Sequence, residues 1–194
     1  MELSQITQQM LEANCPDAAQ KLCAPTALYI ASLKAGYELP DAATFTSELD
    51  WANGWDVDLN GWRRNELSDW LRTQFKIPIV SWRIDRTGAS QDEPSIRKMK
   101  QLGYIQSAHE EAFLRDVVFQ SSRDELLGSQ ALVATMLPGF GENTSMHAVV
   151  LDSHNIDRDE YKVVDPDERN TKTVYSRRCL EASLNGDGLY SAVL

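Results

Sequence analysis

Apolar residues change their spacing part-way along the chain, and that change limits the fold more than any other feature of the sequence. Up to Phe75 they recur every three or four positions: Leu28, Ala31 and Ala35 share one helical face, and Leu67, Trp70, Leu71 and Phe75 share another. Pro25 suits a first helical turn, where its missing N–H leaves no partner unsatisfied, and Gly36 supplies the stop after a helix over Thr26 to Ala35. Asp41 is placed to cap a second helix through Leu49, and Asn65 to Phe75 makes a third. Ile77 to Ile84 is β-branched and aromatic, hence a strand, and Asp85 to Pro94 reads as a long loop. Ser122 and Glu125 form a capping box for a short helix that Gly128 ends.

Beyond Gly128 the pattern becomes one of short β-favouring runs. Ala131 to Leu137, His147 to Leu151, Tyr161 to Asp165, Thr173 to Tyr175 and Leu189 to Leu194 are divided by turn residues such as Pro138-Gly139. Helices followed by antiparallel strands predict an α+β fold: one domain over residues 1–194, with an N-terminal helical lobe to about 128 and a C-terminal antiparallel sheet from about 129.

Charge and cysteine usage narrow the function. Twenty-nine acidic against 19 basic side chains give a net charge of −10, which argues against nucleic acid or an anionic membrane as a partner, since both are held by clustered Lys and Arg. No apolar run approaches the roughly 18–20 residues that span a bilayer, and Met1-Glu-Leu-Ser-Gln is no basic-then-apolar leader, so the expected location is cytoplasmic. Cys15, Cys23 and Cys179 are too few for a disulfide framework, and with three scattered histidines they match no zinc pattern. Neither a metal nor another cofactor is expected.

Cys23 opens the segment Leu22-Cys-Ala-Pro-Thr-Ala-Leu, immediately before the first helix. A thiol there meets the positive end of the helix dipole and N–H groups without intrahelical partners, which favours the nucleophilic thiolate. Of the possible bases, His109 reads as a solvated helix face and His154 as part of a turn, whereas His147 begins an apolar strand that can hold its ring. A hairpin centred on Ile156 would set Leu151 opposite Tyr161, Val149 opposite Val163 and His147 opposite Asp165, close enough for the carboxylate to orient the imidazole. Nucleophile, base and orienter are then all present.

At these residues the sequence resembles the papain-like cysteine peptidases, specifically the bacteriocin-processing, double-glycine leader peptidases and their free-standing relatives. Cys23-Ala-Pro-Thr-Ala-Leu is similar to that family's Cys-Gly-Pro segment, Ser122 to Leu137 to the element before its histidine, and His147-Ala-Val-Val-Leu with Val163-Val-Asp-Pro166 to its histidine and Asp-Pro strands. The resemblance implies a papain-like fold and a thiol hydrolase that cleaves a peptide or amide bond in a peptide or protein substrate, through Cys23, His147, Asp165 and a thioester intermediate.

Two positions depart from the pattern. Ala24 replaces a glycine, and Asp17 stands where the family has the side-chain amide of the oxyanion hole; Gln20, three residues before Cys23, is the nearest amide and the candidate for that role. The alternatives are therefore a catalytically weak or inactive peptide-binding module and an acyl transferase using the same thioester. Trp55 and Trp62, each following a glycine, are candidates to line a substrate cleft, with core packing as the competing use.

Overall fold

The computed structural model describes residues 11, 21–57, 61–84, 90–91, 97, 99–103, 105–109, 111–112, 131–136, 147–167, 173–179 and 188–193. Helices α1 (Cys23–Lys34), α2 (Ala42–Ser47), α3 (Trp51–Gly54) and α4 (Arg64–Gln74) come first, with a two-stranded ribbon, β1 (Trp55–Asp56) and β2 (Gly61–Trp62), between the last two. The strands β3 (Ile79–Ile84), β4 (Ser90–Gln91), β5 (Ala131–Met136), β6 (His147–Asn155), β7 (Glu160–Val164), β8 (Val174–Ser176) and β9 (Gly188–Val193) form one sheet in the order β4-β3-β9-β5-β6-β7-β8. Every neighbouring pair in it is antiparallel, so the described residues are an α+β arrangement.

Two expectations need correction here. The sheet does not wait for residue 129: β3 precedes that point by some 45 residues and pairs with the last strand, β9, along its whole length. Within the expected loop, Ser90 and Gln91 pair back onto β3, extending the sheet edge. The capping box over 122–128 lies outside the described residues.

Helix α1 is the centre of the core. The sequence suggests a single apolar face, yet every residue from Pro25 to Ser32 is buried. A helix apolar on all sides belongs inside a protein, with neighbours all round it. Its three buried hydroxyl residues create no unmet polar groups, because Thr26 Oγ1 donates to Leu22 O at 2.7 Å, Ser32 Oγ to Leu28 O at 2.8 Å and the Tyr29 hydroxyl to Pro40 O at 2.8 Å. The helix ends as Gly36 predicts: with φ +89°, Gly36 donates to Leu33 O, and Tyr37 donates to Ser32 O, closing two terminal carbonyls.

Helix α1 packs against β5 and β6, and α4 against β3. Leu28, Ile30, Phe45, Leu71 and Val150 belong to one continuous core. Asp41 caps α2 as expected, accepting from Ala43 N and Thr44 N at 3.0 Å each. Arg72, fully buried on α4, donates from Nε to Ile79 O at 2.6 Å and pairs with Asp69, joining the helix to the start of β3.

The β6–β7 hairpin differs from the expected register. Leu151 lies opposite Val163 and Val150 opposite Val164; nearer the turn, Ser153 faces Lys162 and His154 faces Tyr161. The register shifts at Asp152, a bulge that adds one residue to β6. His154 is therefore a strand residue rather than a turn residue, stacked on Tyr161 with ring centroids 4.4 Å apart. The C-terminal end of α1 also meets β6 at this bulge. Lys34, in the last turn of α1, bonds both the Asp152 carbonyl and, at 3.1 Å, its carboxylate, while Lys162 reaches the other carboxylate oxygen at 3.2 Å.

Candidate active site

His147 is the first residue of β6, opposite Met136 of β5, and its side chain is 7% exposed. Its Nε2 lies 2.6 Å from Asp165 Oδ1, whose side chain is 2% exposed. The two are not register partners. Continuing the pairing of Val150 with Val164 puts Asp165 across from Val149, and His147, two residues earlier, projects from the same face as Val149. The contact is a diagonal one, within reach because an imidazole is long enough to bridge it.

Local structure fixes the carboxylate. A residue before proline is held extended, so Asp165 carries the line of β7 one step further before Pro166 turns the chain. Asp165 Oδ1 then accepts from Asp167 N at 2.8 Å, an Asx-turn that holds the carboxylate to its own backbone.

Cys23 is the first residue of α1, half-buried, and its thiol lies near enough to His147 to interact with the ring. Leu22, at the N-cap, makes no side-chain cap bond, and the first turn of α1 holds no acidic residue. Thr26 N donates to Leu22 O, and Pro25 has no N–H, so the amides at the helix start that lack an intrahelical acceptor are those of Cys23 and Ala24. Positive potential is concentrated beside the sulfur.

Electrostatics distinguish the imidazole. Burial alone would lower the His147 pKa, but its hydrogen bonds and charge interactions with Asp165 and Cys23 outweigh burial and raise it from 6.5 to about 10. His147 is accordingly protonated at neutral pH, the partner that a thiolate requires.

Of the expected site residues, the structure pairs His147 with Asp165 and places Cys23 near the His147 ring. Gln20, Asp17 and Cys15 lie outside the described residues. His109 is exposed, and Cys179 is half-buried with its N–H bonded to Ser176 Oγ at 3.3 Å. Among the described residues no His, Cys, Asp and Glu cluster could hold a metal ion, and no helix is long and apolar enough to cross a membrane.

Trp55 and Trp62 are register partners in the β1–β2 ribbon, with ring centroids 5.9 Å apart. Trp51 lies 4.8 Å from the Trp62 ring and completes a trio. Trp62 packs against the core and borders a cavity of about 250 Å³ with Trp70, Asp50, Glu66 and Asp69; neither Trp55 nor Cys23, His147 or Asp165 lines that cavity. Its Nε1 donates to Lys21 O at 2.6 Å, two residues before Cys23, and Lys21 Nζ stands 5.3 Å over the Trp55 ring. That tie between the aromatic cluster and the approach to α1 escapes sequence reading, since it joins a main-chain carbonyl to a residue 41 positions away.

Compared with known proteins, the sequence matches no family model and no curated protein. Among solved structures, the chain is similar to one described as a "putative C39-like peptidase from Bacillus anthracis", with 12% identity, 90% of each chain covered and a TM-score of 0.47.

Proposed function

We propose that this protein is a papain-like thiol hydrolase that cleaves a peptide or amide bond through a Cys23–His147–Asp165 triad. The observation that carries the reading is the position of the His147 ring, with Asp165 Oδ1 2.6 Å from one nitrogen and the Cys23 thiol close enough to interact with the ring. In this mechanism the Cys23 thiolate attacks the substrate carbonyl carbon, forming a C–S bond while an electron pair moves onto oxygen. The Cys23 N–H faces that oxygen, with Gln20 as the expected second donor. Collapse breaks the C–N bond as the His147 imidazolium gives its proton to the leaving nitrogen. Water then adds to the thioester and gives a proton to His147; the C–S bond breaks, the acid departs, and the thiolate–imidazolium pair is restored.

A peptide or protein is the proposed partner, with Trp55 and Trp62 lining its approach. The test is turnover of acyl-peptide reporters together with intact-mass detection of an acyl adduct. Wild-type turnover with an adduct on Cys23, both lost in Cys23→Ala, is expected; turnover undiminished in Cys23→Ala refutes the triad. Adding a competing amine separates hydrolysis from acyl transfer by the product formed.

A further inference from the structure

Helix α1 and strand β6 run side by side in the same direction, and both ends of the helix meet the strand. At one end Cys23, the first residue of α1, meets His147, the first residue of β6. At the other, Lys34, the last residue of α1, meets Asp152. The spans match: from Cys23 to Lys34 the helix rises about 16.5 Å at 1.5 Å per residue, and from His147 to Asp152 the strand advances about 16.5 Å at 3.3 Å per residue.

Asp152 is the bulge residue, without a register partner on β7. A bulge leaves backbone groups out of the ladder, and here the Asp152 carbonyl and carboxylate both accept from one ammonium, that of Lys34. The Lys34 and Asp152 side chains are 24% and 21% exposed, so the contact is shielded more than an ordinary surface pair. Lys162 also reaches Asp152, but from a side chain 60% exposed.

We infer that Lys34 and Asp152 are positioning residues for the nucleophile: by pinning the far end of α1 to the β6 bulge, they fix how far the helix slides along the strand and hence whether the Cys23 sulfur meets the His147 ring. The inference rests on the Cys23–His147 reading above and adds a control on that pair. A slide of 1 Å is enough to disturb a thiol–imidazole hydrogen bond, whose useful range is a few tenths of an ångström. Direct action of the Lys34 charge on the sulfur is a poor alternative, since about 16 Å exceeds the screening length of about 8 Å at physiological ionic strength.

The experiment measures iodoacetamide labelling of Cys23 against pH, followed by peptide mass mapping, in the full chain and in Lys34→Met, Asp152→Asn and the double variant. Cys179 labelling in the same samples reports any general loss of structure, and Lys100→Met, which removes an exposed ion pair elsewhere, controls for lost charge. At pH 6, wild type is expected to label Cys23 at least tenfold faster than Cys179. Each single variant should slow Cys23 labelling about tenfold. The double variant should slow it no further than the larger single effect, with Cys179 and Lys100→Met unchanged. Fast Cys23 labelling retained in both single variants, additive losses in the double variant, or a loss equalled by Lys100→Met overturns the positioning role while leaving the triad standing. Cys23 labelling no faster than Cys179 in wild type overturns the thiolate–imidazolium pair itself, and the positioning role with it.

Discussion

His147 Nε2 lies 2.6 Å from Asp165 Oδ1 although the two residues are not cross-strand partners. The carboxylate reaches the ring diagonally from one residue beyond the end of β7, held by the Asp165–Asp167 turn. A contact made at a strand end by a turn depends on that turn's chemistry, which gives the first prediction.

Asp165→Asn keeps the size of the side chain but removes the charge. His147 is raised to about 10 partly by that carboxylate, so in the variant the ring should titrate at a lower pH, toward the ordinary 6.5. Histidine NMR titration measures this, and hydrolytic turnover at pH 7 should fall by about 10²-fold or more. A ring that still titrates near 10 in Asp165→Asn would remove Asp165 from the account.

Stability should depend on the same proton. The pKa of His147 is higher in the folded state than the unfolded 6.5, so its contribution is fully present below about pH 6.5 and declines as pH rises, until it is lost above about pH 10. Within that window the loss approaches ~1.4 kcal/mol per pH unit. Urea unfolding of wild type and Asp165→Asn should show a stability gap that is largest near pH 6 and narrows toward pH 10. A gap that widens with pH contradicts the sign.

Gly54 is the close-packed floor beneath Trp62. A Cβ at Gly54 would stand 2.6 Å from Trp62 Cζ3, so Gly54→Ala must displace the indole and disturb its bond to Lys21 O. The expected cost is about 1–3 kcal/mol, as for overpacking generally. If Trp62 borders the substrate, KM should rise more than kcat falls; steady-state kinetics on the folded variant decide it, and unchanged KM with a moved tryptophan emission spectrum would confine Trp62 to packing.

Ile30 sits mid-way along α1 with no exposed surface. Ile30→Ala removes buried methyl groups where a helix enclosed by its neighbours cannot relax to fill the space, for a cost of about 2–5 kcal/mol. Chemical denaturation checks it; a loss below 1 kcal/mol would mean that the core around α1 collapses readily.

Much of this arrangement is readable from residue order, because local chemistry sets it. Asp41, Gly36 and the helical spacing of Leu67, Trp70 and Leu71 each work within a few residues and place α1, α2 and α4 nearly where they are found. The His147–Asp165 pairing was legible for a subtler reason: the true register near the site differs from a hairpin centred on Ile156 by two, an even number, which keeps both side chains on one face. The bulge was not legible, since it involves Lys34, far away in sequence. Neither was the full enclosure of α1, because Thr26 and Ser32 look polar in the sequence and become neutral to burial only by bonding their own helix carbonyls. Joining β3 to β9 brings together segments more than a hundred residues apart, beyond any local signal.

The all-round enclosure of α1 has a dynamic consequence. Its interior amides can meet solvent only when the surrounding layers come apart, so their deuterium uptake should track global opening. Cys23 is mounted at the tip of this enclosed helix, so the backbone that carries its sulfur should stay protected from exchange for as long as the core around α1 holds.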